Sequence, residues 1–155
     1  MIRLIDVAHV NLNVSDVARS EKFYSEVLGF RTSGKVEGAV CWMNLGQYRE
    51  GHGLFFHDLA LYQVPKGLPD DYRKRVGLNH AAFRLASAAE VDQAAEFLKS
   101  KNVKILKGPG THSEDRDRYL YFEDPDGNVL ELVATTLPDY PQNYLRPDWS
   151  KDAHS

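Results

Sequence analysis

The sequence predicts an α+β fold: two βαβββ modules paired to form a curled sheet around a cleft. Three observations predict it. Alternating strand-like runs and one helical run follow the same order in each half of the chain. His9 and His80 fall early in the first strand of each half and lie 71 residues apart. A polar, proline- and glycine-bearing stretch, "PKGLPDDYRKR", separates the halves.

Module one is expected over about residues 5–65. "IDVAHVNLNVSD" alternates as a strand and ends in Ser15-Asp16, both good helix starters. Apolar residues then recur at helical spacing from about Val17 to Leu28, and Gly29 supplies the stop. "FRTSGK", "GAVCWMNLG" and "LFFHDLALYQV" read as the three following strands. A linker covers about residues 65–76.

Module two, about residues 77–136, repeats the plan. "GLNHAAFRLAS" reads as a strand and "AAEVDQAAEFLKSK" as an amphipathic helix rich in helix formers. "VKILKGPG", "RYLYFEDPDG" and "NVLELVAT" complete it, with "DPDG" as a turn. Each module alone leaves a sheet with one bare apolar face, which pairing buries. The tail, 137–155, is proline-rich and without periodicity, so it is expected to be draped or disordered. Arg146 and Trp149 within it are either an anion-binding lid or solvated.

Composition narrows the function. The chain has 155 residues, 43% of them hydrophobic, and a formal net charge of -3. No basic run points to nucleic acid. A lone cysteine, Cys41, excludes an intrachain disulfide and fits a reducing compartment. No apolar run reaches the ~20 residues of a membrane span, and no signal peptide is recognisable, so a cytoplasmic protein is expected.

Polar residues set among apolar ones carry the chemistry. His9 and His80 share a position in the two repeats, and Glu131 lies within the last strand of module two, in "NVLEL". A carboxylate there is costly unless paired or bound to a cation. Two imidazoles and one carboxylate with open positions suit non-haem iron(II) oxygenases and also catalytic zinc. The cleft is therefore expected to bind a metal.

"AHVNLNV", "NHAAFRL" and "GNVLEL", on the duplicated βαβββ plan, resemble the vicinal oxygen chelate superfamily over roughly residues 5–136. That superfamily includes glyoxalase I, fosfomycin-resistance proteins, bleomycin-binding proteins and extradiol ring-cleavage dioxygenases. The resemblance implies that His9, His80 and Glu131 are metal ligands. Glyoxalase-like sites draw a fourth ligand from the last strand of the first module, where alignment places Ala60, so three protein ligands are expected.

Three further segments resemble the catechol-type extradiol dioxygenases: "FHDLAL", "GPGTH" and "YLYFEDPDGNVLEL". By that resemblance His57 is the acid-base group, His112 a hydrogen-bonding group and Tyr121 a residue facing the substrate oxygens. The implied activity is Fe(II)-dependent ring cleavage of a small aromatic diol by dioxygen in a homo-oligomer, with Mn(II), Zn(II) or Ni(II) as alternative ions. The chain departs from many of that family in having one pair of modules, and in a long stretch between His57 and His80. Rival expectations are a glyoxalase-like isomerase, lyase or thiol transferase, and a metal-free binder of an aromatic drug.

Overall fold

The structure, a computed structural model, describes residues 2, 4, 6–48, 56–65 and 69–138. The tail, with Arg146 and Trp149, lies outside the described residues apart from residues 137 and 138.

Module one runs β1 (Val10–Val14), α1 (Val17–Glu26), β2 (Arg31–Val36), β3 (Val40–Asn44) and β4 (Leu59–Gln63). Module two runs β5 (Ala81–Arg84), α2 (Ala88–Ser100), β6 (Ile105–Thr111), β7 (Asp117–Glu123) and β8 (Val129–Thr135). Each forms its own four-stranded mixed sheet, ordered β1-β4-β3-β2 and β5-β8-β7-β6. The expected α+β plan of two βαβββ modules is the observed one. β1 and β5, which follow the two histidines, are edge strands.

Local chemistry explains the helix boundaries. Asp16 caps α1 by accepting from the Arg19 amide at 3.0 Å. The helix ends at Glu26, two residues before the expected Leu28, because the chain must reverse through Gly29 at φ 77°. At α2, Ser87 accepts from the Glu90 amide while the Glu90 carboxylate accepts from the Ala86 amide. The "HDLALYQV" strand begins only at Leu59, so His57 sits just ahead of it.

The linker carries a short helical turn among its described residues. Tyr72–Lys74 forms a 3-10 turn whose Tyr72 hydroxyl donates to the Gly127 carbonyl, and Arg73 pairs with Glu123. Those bonds tie the segment to the β7–β8 end of module two.

The modules share one core. Tyr24, Met43, Leu59 and Leu61 from the first, with Leu98, Leu120, Phe122 and Leu130 from the second, are fully buried within it. A polar clasp runs through this junction. The Ser15 amide and hydroxyl and the Arg19 guanidinium all donate to Asp126. The Tyr24 hydroxyl donates to Asp124 at 3.0 Å. Burial pushes the Asp124 carboxyl up, although donors from Asn128, Asp126 and Tyr24 oppose the rise. Burial also acts upward on Asp126, but the Ser15 and Arg19 donors outweigh it and leave that carboxyl low. Among the described residues no helix is long and apolar enough to cross a membrane.

Candidate metal centre

β-Pairing confirms the repeat position by position. Asn11 lies opposite Ala60 on β1 and β4, and Ala82 lies opposite Glu131 on β5 and β8. His9 and His80 each immediately precede the first strand of their module. The position of Glu131 in module one is therefore held by Ala60, which has no ligand atom.

Module two concentrates the polar groups on one buried carboxylate. Glu131 is only 6% exposed and sits between Leu130 and Leu132. His80 Nε2 lies 3.1 Å from its Oε2, and His112 Nε2 lies 3.5 Å from its Oε1. Tyr121, the cross-strand neighbour of Glu131 on β7, places its hydroxyl 3.4 Å from His112 Nε2. Burial and the Glu131 charge push the Tyr121 phenol up to about 12, so it stays a proton donor at neutral pH. His112 follows β6, in the β6–β7 hairpin, with its ring stacked on Tyr119 at 4.0 Å.

The proton on His80 is placed by a neighbour. Asn79 Oδ1 is an acceptor, so its 2.7 Å contact with His80 Nδ1 puts the proton on that nitrogen. In the neutral ring the lone pair is then on Nε2, facing a carboxylate oxygen. Two electron-rich atoms in that arrangement need a cation or a proton between them. Among the described residues no lysine or arginine pairs with Glu131. Adjacent ligands bound at about 2.1 Å with a right angle between them stand about 3.0 Å apart, close to the spacing seen here. The spacing of this pair suits a divalent ion between them, and Asn79 holds the His80 ring in its orientation. Sequence reasoning missed Asn79; its only signal was adjacency to His80.

Module one holds a separate cluster. The His9 and His57 rings stack with centroids 4.5 Å apart. They share a cleft of about 410 Å³ with Asp6, Ala8, Tyr48 and Phe56, where the Tyr48 and Phe56 rings also stack, at 5.0 Å. Burial, and then the neighbouring His9 charge, hold His57 below the usual imidazole range, which leaves it a neutral base near pH 7. His9 itself is exposed.

The two clusters do not meet within one chain. Neither His9 nor His57 makes a hydrogen bond, ion pair or ring contact with His80, His112, Tyr121 or Glu131. Among the described residues, no group of three or more His, Cys, Asp or Glu side chains is placed to hold a metal ion. The structure thus gathers His80, His112 and Tyr121 around Glu131 and leaves His9 and His57 together, just ahead of strands of the other sheet.

Comparison with known proteins gives the lineage. The chain is 31% identical over 133 residues to the metallothiol transferase FosB of Staphylococcus saprophyticus subsp. saprophyticus, covering 86% of this chain and 79% of that protein. It is 34% identical over 105 residues to biphenyl-2,3-diol 1,2-dioxygenase 2 of Rhodococcus globerulus, covering 62% of this chain and 54% of that enzyme. The crystal structure of a glyoxalase/dioxygenase from Nostoc punctiforme superposes with a TM-score of 0.61 at 25% identity, over 85% of this chain and 92% of that one. Residues 6–132 match the family model, and with this repeat and these histidines the chain belongs to the glyoxalase/bleomycin resistance protein/dioxygenase superfamily.

Proposed function

We propose that the protein is a metal-dependent extradiol dioxygenase that opens an aromatic diol, with a site completed by a second copy of the chain. The observation that carries the reading is the grouping of His80, His112 and Tyr121 on the buried Glu131 carboxylate. On this reading His80 and Glu131 of one copy and His9 of another hold Fe(II). The bound ion would supply Lewis acidity and the electron relay that ring opening by dioxygen requires.

The chain's own groups have distinct tasks. His57, neutral and beside His9, takes the diol proton and returns it later. Tyr121 and His112 donate hydrogen bonds to substrate oxygens as negative charge grows there. Tyr48 and Phe56 offer aromatic faces to a planar ring. Ala60 leaves the position of a fourth ligand open to substrate.

The second copy is argued from incompleteness and from exposed apolar residues. Val7 and Leu78 stand two residues ahead of the equivalent histidines and are 84% and 60% exposed. Apolar groups bared beside both half-sites, each next to an open edge strand, are surfaces that association covers.

Anaerobic loading with Fe(II), followed by a catechol panel and air, tests the activity. Oxygen uptake with a yellow semialdehyde product is expected, and silence across the panel overturns it. The FosB likeness supports a second reading, thiol transfer to a small chelating substrate. Adduct formation with a thiol under Mn(II) or Ni(II), without oxygen uptake, selects that reading.

A further inference from the structure

The geometry points to Lys107 as a specificity-determining residue, and to an aromatic diol that carries a carboxylate as the preferred ligand. This rests on the diol reading above and extends it to the far end of the ligand. Lys107 on β6 lies opposite Tyr121 on β7, which in turn lies opposite Glu131 on β8. Residues directly opposite on paired strands share a face. One row across three strands therefore carries an ammonium, a phenol and the candidate metal-binding carboxylate. Two strand spacings separate its ends by about 10 Å at the backbone. That is the scale of a single substituted ring.

A cleft over the Lys107–Tyr121 end of this row suits the carboxylate-bearing end of such a ligand. It has a volume of about 280 Å³ and is lined by Arg73, Asn79, Leu106, Lys107, Tyr121 and Val129. Leu106 and Val129 give a ring apolar contact, and Asn79 is the group that orients His80. Among the described residues no carboxylate lines it. Of its two cations, Arg73 is neutralised by Glu123. Lys107 has no carboxylate partner among the described residues, and its ammonium stands 5.1 Å from the Tyr119 ring centroid. A diol whose oxygens point toward Glu131 and whose carboxylate reaches Lys107 gains a charge-assisted hydrogen bond that a plain catechol does not.

The test separates this subsite from the oxidation chemistry. Benzoate, which has the carboxylate but no diol, is titrated into the metal-free full-length protein and followed by tyrosine fluorescence. Saturable binding is expected. Lys107→Glu should weaken it by about tenfold or more, whereas Lys107→Arg should stay within about threefold. In iron-loaded protein, selectivity for 3,4-dihydroxybenzoate over catechol, read as the ratio of kcat/KM, should fall by about tenfold or more in Lys107→Glu. Equal benzoate affinity in wild type and Lys107→Glu, or no saturable binding by the wild type, overturns the proposal. Benzoate binding that depends on Lys107 in a protein that oxidises no diol sustains the subsite and refutes only the dioxygenase.

Discussion

His80 Nε2 stands 3.1 Å from Glu131 Oε2, and the other nitrogen of the same ring is committed to Asn79. The facing atoms are both donors of electron density, and only an intervening cation or proton makes their approach favourable. The ion is therefore expected to depend on the carboxylate more than on any nearby base. Glu131→Ala should reduce bound metal to less than about a tenth of wild type, since removing a ligand from such a site costs several kcal/mol. His57→Phe should keep the metal and lose turnover. Elemental analysis of anaerobically purified protein, beside oxygen uptake, checks both. Equal metal loss in the two variants means that His57 is itself a ligand.

Sharing of the site between copies has its own signature. His9→Ala and Glu131→Ala each spoil every site of a homodimer made from that variant alone. A mixed dimer unites one intact site with one doubly defective site. Co-expressed variants carrying different tags, purified through both tags, should recover about one ion per dimer. A mixed dimer as empty as its parents would show that His9 does not join His80 and Glu131 across copies.

Tyr121→Phe should spare the metal and slow ring opening. A hydrogen bond to an oxygen that gains charge in the transition state is worth about 10²–10³ in kcat. Steady-state oxygen uptake measures it. A loss confined to KM would identify Tyr121 as a binding group only.

The module junction responds to pH through Tyr24 and Asp124. Burial raises the folded-state pKa of Asp124 above its unfolded value. Its stabilising contribution is thus complete below the unfolded pKa and is lost as pH rises through the folded one. Asp126 is held low, so its contribution is present above the unfolded pKa and is lost as pH falls through the folded value. Tyr24→Phe removes a donor that eases ionisation of Asp124. It should cost about 1.5–3 kcal/mol where Asp124 is charged and about 1 kcal/mol near pH 3, where it is protonated. Urea unfolding at pH 3 and pH 8 checks this. Equal destabilisation at both would mean that Asp124 is neutral throughout.

The sequence by itself determined the order of elements, because each answers to local rules: alternation for β1 and β8, helical spacing and caps for α1 and α2, and the "DPDG" turn between β7 and β8. It also determined the 71-residue repeat, and with it the equivalence of His9 to His80 and of Ala60 to Glu131. Only the tertiary structure decided which of these groups meet. The β6–β7 pairing shifts register twice, on either side of Lys107, so simple alternation along the strand does not reveal which face that lysine takes. Asn79 became legible only once its amide oxygen was seen against His80. The separation of His9 from Glu131 was equally hidden, since a repeat fixes positions within each sheet and leaves open how the sheets are docked. Here docking follows from the shared core and from the Ser15, Arg19 and Tyr24 bonds to the β7–β8 turn, contacts between residues about a hundred positions apart.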